Sequence, residues 1–116
     1  DPRGVLWIQT DVSSSTINKK AYQYMGNNQM VATIPGTNEY RRFLTGPRGC
    51  EITGIAFTPD NRTLFINIQH PGEGGDDITD PANPTAVSSW PDADPAGRPR
   101  SSTVVIVKAD GGMIGT

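Results

Sequence analysis

The chain has 116 residues, with 10 basic and 12 acidic side chains and a net charge of −2, so it lacks the basic field that non-specific nucleic-acid binding requires. Hydrophobic residues make up 34% while Gly and Pro number 13 and 10, a lean, turn-rich composition that favours short strands in a single all-β unit over long helices. No apolar run approaches the roughly 18 residues of a membrane span, and the lone cysteine, Cys50, excludes an internal disulfide.

In chain order, the opening "DPRGVLWIQT" has none of the regions of a signal peptide. "VLWIQTD" alternates Leu6 and Ile8 against Trp7, Gln9 and Asp11, which predicts a strand over 5–11 with Leu6 and Ile8 on the buried face. The polar stretch 12–28 predicts a loop with at most one helical turn. "QMVATIPG" and "EYRRFLTGP" predict strands over 29–34 and 39–45, joined by the turn residues Pro35, Gly36, Thr37 and Asn38. "EITGIAFTPDNRTLFINIQHP" predicts a second hairpin, strands 51–58 and 63–69, with Pro59, Asp60 and Asn61 at its tip and Ile55, Phe57, Leu64, Ile66 and Ile68 as its apolar set. From Gly72 to Ser101, five prolines and five aspartates without period predict a long loop. "STVVIVKADGG" predicts a last, buried strand over 102–108.

"DPRGVLWIQT" and "PDNRTLFINI" echo each other, each with a Leu, an aromatic and an Ile in register and an offset of 58 residues from Leu6 to Leu64. A propeller blade takes about 40 to 50 residues, so one blade enlarged by the 12–28 loop fits the offset. The fold expected is therefore a fragment of a β-propeller, about two antiparallel blades. A propeller closes with roughly four to eight blades, so two would leave faces and edges open to self-association or to the rest of a larger protein.

Several residues carry chemistry. Glu51, at a strand start, either caps into solvent or ligates a hard cation. Arg48 is either a solvated loop charge or a planar fork for a phosphate group. Asp11 projects at a strand end, where a turn cap and a metal ligand are equally open. His70 can cap a strand, ligate a metal or shuttle a proton, and Glu73 shares its loop end. Cys50, beside an apolar strand, reads as a small buried hydrophobe rather than a nucleophile. Asp76, Asp77 and Asp80 lack the EF-hand spacing and read as a solvated loop, and no GxxxxGK[ST] run offers a nucleotide cradle.

The segments "LWIQTD", "GPRGCEITGIAFTPDNRTLFINIQHPGE", "SSWPD" and "RPRSSTVVIVKADGG", continuous in order over most of the chain, resemble the C-terminal part of the PhoX-type bacterial alkaline phosphatases. The resemblance implies a β-propeller, export to the periplasm on a twin-arginine signal, and hydrolysis of phosphate esters with calcium and iron. It implies Glu51 as a metal ligand and Arg48 as the catalytic residue that binds the transferred phosphoryl group, while Asp11 is a second ligand candidate from its strand-end position. Family members are several times longer, so residues 1–116 are expected to form one unit of a larger propeller phosphatase, inactive in isolation. Two rival readings are a non-enzymatic propeller-derived scaffold binding protein or sugar, and a calcium-dependent lactonase or esterase of a related propeller type.

Overall fold

Turn chemistry at Ile34–Glu39 folds β2 (Gln29–Thr33) back on β3 (Tyr40–Thr45). The Ile34 carbonyl accepts from both the amide and the hydroxyl of Thr37. β1 (Leu6–Gln9) adds antiparallel to the other side of β2, giving a sheet of order β1-β2-β3. The second sheet repeats the plan: β4 (Glu51–Phe57), β5 (Thr63–Gln69) and β6 (Ser102–Val107) lie antiparallel with β5 central. The computed structural model describes residues 1–74 and 80–116, and the fold is all-β, as the composition predicts. A single 3₁₀ turn, Lys20–Tyr22, lies in the 12–28 loop. Among the described residues no helix is long and apolar enough to cross a membrane. The readings placed on Asp76 and Asp77 fall outside the described residues.

The core is built from Met30, Cys50, Ile52, Leu64, Ile66 and Ile68. β5 alternates as expected, with Leu64, Ile66 and Ile68 buried and Phe65 and Asn67 outside, the period of two that lets one sheet face pack and the other meet solvent. The sheets meet where Trp7 packs tilted against Phe57, ring centroids 5.6 Å apart, and within its own sheet Trp7 packs edge-on against Phe43 at 5.1 Å. Such aromatic contacts add about 1 kcal/mol each beyond their buried area.

Three details depart from the sequence reading. On β1 the inward residue is Trp7, while Leu6 is 49% exposed; the larger ring takes the interior because Phe43 and Phe57 offer it partners. On β4 a bulge falls between Thr53 and Ile55, where Gly54 takes a φ of +56°, so Ile52, opposite Ile68, and Ile55, opposite Ile66, share a face although three positions apart; Ile52 is buried, while Ile55 is 42% exposed. A residue inserted on one strand reverses the facing of the residues beyond it. β6 is an edge strand, and only Val104 and Ile106 pack on the core, whereas Val105 and Val107 are exposed. The echo between Leu6 and Leu64 also fails as a structural equivalence, since Leu6 lies on an edge strand and fully buried Leu64 on a central one. The repeating unit is the three-stranded sheet, which starts at Leu6 and again at Glu51.

Candidate functional site

The residues singled out for chemistry converge at one end of the two sheets. The 10–18 loop, the entry to β2, the 46–51 segment and the 70–74 segment border a cleft of about 730 Å³. Arg48, Glu51 and Asp11 all line it, and so do His70 and Glu73.

The hairpin register explains the gathering. Glu51 opens β4 opposite Gln69, which closes β5, so the residue after Gln69 emerges beside Glu51. His70 Nε2 lies 2.7 Å from Glu51 Oε1, and its Nδ1 lies 3.2 Å from the Gly49 carbonyl oxygen and 3.0 Å from Glu73 Oε2. Every partner of the ring is an acceptor. Partial burial would by itself lower the His70 pKa, but the Glu51 hydrogen bond, the Gly49 carbonyl and the Glu73 charge outweigh it and hold the imidazole above its ordinary 6.5. His70 also sits at φ +36°, in the left-handed region that a side chain with a Cβ enters only at a cost of about 1–2 kcal/mol.

The Arg48 loop is shaped by two adjacent buried amides. Asn27 Nδ2 donates to the Pro47 carbonyl at 2.6 Å and the Cys50 carbonyl at 3.0 Å, while its Oδ1 accepts from the Gly49 amide at 3.2 Å. Asn28 donates to the Cys50 carbonyl at 3.0 Å, and its Oδ1 accepts from the Val12 amide at 2.7 Å and the Thr10 hydroxyl at 2.9 Å. One side-chain pair thus ties the Asp11 segment and the Arg48 segment to the same point. Gly49 has φ +75°, and a Cβ there would lie 2.4 Å from the Glu73 carbonyl oxygen, so the loop backbone can approach residues 72–73 only as glycine.

Arg48 itself is exposed and, among the described residues, makes no salt bridge and no side-chain hydrogen bond. Cys50 accepts a 3.3 Å bond from Asn27 Nδ2, and burial pushes its thiol up to about 11. At neutral pH it is a protonated core side chain, in keeping with the reading from sequence. Asp11 stands exposed two residues beyond the end of β1. Asp80, read as a solvated loop residue, is exposed and caps its own turn through a 2.8 Å bond from the Ala82 amide.

Among the described residues no group of three His, Cys, Asp or Glu side chains is arranged to hold a metal ion. Glu51 spends one carboxylate oxygen on His70, so the donors present do not by themselves make a closed metal site. Asn27, Asn28 and the pairing of His70 with Glu51 went unseen in the sequence. The first two look like ordinary loop amides in "GNNQ", and the third is legible only once Glu51 is aligned against Gln69.

The family model described as "Alkaline phosphatase PhoX" matches residues 1–72. Among solved structures, Pseudomonas fluorescens PhoX in complex with vanadate, a transition state analogue, is 48% identical, with a TM-score of 0.82. The alignment covers 99% of this chain and 18% of that one, so the chain spans about a fifth of that protein's length. No curated protein sequence matches.

Proposed function

The chain belongs to the PhoX alkaline phosphatase family, and on that premise we propose that it forms part of a phosphomonoesterase, its two sheets serving as neighbouring blades of a β-propeller and its cleft as a wall of the active site. The observation that carries the reading is Arg48: a guanidinium held on a tightly fixed loop, at the mouth of a cleft, with its own donors unspent among the described residues. A planar fork in that state suits two oxygens of a phosphate ester at once. Phosphoryl transfer gathers charge on the equatorial oxygens, and a fixed cation aimed at them stabilises the transition state without reorganising. The likeness to a protein captured with vanadate supports the same substrate class.

Glu51 and Asp11 are the carboxylates this chain offers to calcium or iron, which would add positive charge around the phosphoryl group. The described residues do not close such a site alone, so the work attributed to the chain is that of its own groups. Arg48 binds and orients the ester, Glu51 and His70 fix each other at the cleft floor, and Asn27 and Asn28 hold the loop rigid. We place the enzyme in the periplasm or outside the cell on the strength of the family likeness. The isolated 116 residues are expected to turn over little ester, and the open sheet faces favour self-association.

The test is hydrolysis of a chromogenic phosphomonoester by the protein carrying this sequence, with calcium and iron supplied and vanadate as inhibitor. Arg48→Lys keeps the charge and loses the fork, so turnover is expected to fall about 10- to 1,000-fold with metal content unchanged. Glu51→Gln is expected to lower the bound calcium or iron. Full activity in Arg48→Lys would return that residue to a solvated loop charge, and normal metal content in Glu51→Gln would remove Glu51 from the ligand set.

A further inference from the structure

We propose that His70 is a positioning residue, a two-armed clamp that sets the Arg48 loop and the Glu51 carboxylate relative to each other. One arm is Nε2, 2.7 Å from Glu51 Oε1; the other is Nδ1, 3.2 Å from the Gly49 carbonyl oxygen and 3.0 Å from Glu73 Oε2, a residue of the same 70–73 segment as the ring. The two arms reach either side of Cys50, so one ring spans the segment that joins the phosphate-binding arginine to the first residue of β4.

The backbone of residues 70–73 reinforces the clamp from the same side. The Gly72 amide donates to the Arg48 carbonyl at 2.9 Å, so the carbonyls of both Arg48 and Gly49 are engaged by this one segment. With the peptide planes before and after Gly49 fixed, and Gly49 itself against Glu73, the direction in which Arg48 leaves the loop is set by where His70 stands. His70 is held there at φ +36° by its own amide, which donates to Ser101 Oγ at 3.0 Å. A strained backbone that the surroundings over-determine is the kind found where a fold fixes a functional group. Each ring nitrogen faces an oxygen of the segment it spans, so both edges of the ring are engaged in holding that segment.

The effect on rate rests on the phosphomonoesterase reading; the clamp itself does not. Asn reproduces the reach of Nδ1 and Gln that of Nε2, so two substitutions cut one arm each. His70→Asn keeps the Gly49 bond and releases Glu51, and is expected to lower kcat about tenfold with KM within twofold. His70→Gln keeps the Glu51 bond and releases the loop, and is expected to raise KM about fivefold with kcat within twofold, since loosening a bound geometry costs on this order. Nuclear magnetic resonance of the chain gives a second readout: the Cys50 amide, whose peptide contains the Gly49 carbonyl, is expected to shift in His70→Gln and hold in His70→Asn.

Equal changes in both variants, or none in either, would overturn the proposal. Asn tolerates a left-handed backbone, so His70→Asn decides the matter alone if His70→Gln does not fold. Absence of ester hydrolysis in the protein carrying this sequence, with calcium and iron supplied, together with the split in amide shifts, would end the enzymatic reading and leave the clamp standing.

Discussion

The β4–β5 hairpin has two ends with similar ingredients and opposite outcomes. At its tip, Thr58, Asp60 and Arg62 spend their polar groups on one another. Thr58 Oγ1 donates to Asp60 Oδ1 at 2.6 Å, the Arg62 amide donates to the same oxygen at 3.1 Å, and the Arg62 guanidinium donates to the Gly111 carbonyl. At the open end, Asn27, Asn28 and His70 consume the backbone groups of the loop and leave the Arg48 guanidinium without a partner among the described residues. An arginine, a carboxylate and a turn occur at both ends, so residue type alone does not mark a site. The mark of a site is a charged group that the fold holds still without using.

The largest difference between the ends should appear in turnover. In the protein carrying this sequence, Arg48→Ala is expected to reduce kcat/KM about 100- to 1,000-fold, the cost of losing a fixed transition-state donor, whereas Arg62→Ala should stay within twofold. Equal effects in a phosphomonoester assay would erase the contrast.

Stability should separate the ends next. Gly49→Ala places a Cβ against the Glu73 backbone at a positive φ and should destabilise the chain by on the order of 3 kcal/mol. Gly36, with φ +88° but open space around its Cβ direction, should lose only about 1 kcal/mol on the same change. Denaturant midpoints of the two variants make the comparison, and a Gly36→Ala cost equal to that of Gly49→Ala would show that the close approach to residue 73 is unimportant.

Asn27→Ala strands the Gly49 amide and leaves the Pro47 carbonyl only the Cys50 amide as donor, and should cost about 2 kcal/mol. It should also raise the KM for the ester, which a purely structural amide would leave alone.

The smallest and most selective contrast lies in pH. The Thr58 hydroxyl and the Arg62 amide hold the Asp60 carboxyl below its ordinary 3.8, so its stabilising effect is present above that value and is lost as pH falls through the lower folded pKa. His70 runs the other way. Its folded pKa is raised above 6.5, so its effect is complete below 6.5 and is lost as pH rises through the folded value. Asp60→Asn should therefore flatten the acid limb of a stability profile, and His70→Asn the limb just above 6.5. Thermal melts across pH read both, and exchanged limbs would reverse the assignment.

How far the site is legible in sequence depends on the range of the interactions. The strands are legible, because alternation and turn residues act locally: Leu64, Ile66 and Ile68 face inward as their spacing predicts. The burial of Ile52 on the same face as Ile55 is not, because one glycine at +56° inserts a bulge that period alone does not locate. Arg48 and Glu51 stand out as charged residues beside a strand start, and both do line the cleft. His70 stays open between cap, ligand and shuttle, since its meaning depends on a register that brings residue 70 to residue 51. Asn27 acts on residues 47–50, twenty or more positions away, and no local pattern distinguishes it from its loop neighbours.

The paired amides of Asn27 and Asn28 also bear on the order of folding. They stand immediately before β2, yet their partners lie at residues 10–12 and 47–50, so the cleft cannot form until both sheets exist and β2 has its correct register. A slip of one residue would turn each amide to the other side of the strand. Hairpins form within microseconds, while contacts between distant segments wait on costlier loop closure. During refolding, strand signal should therefore return first and affinity for vanadate only afterwards, so that ligand binding reports completion of the last tertiary step rather than the presence of the strands.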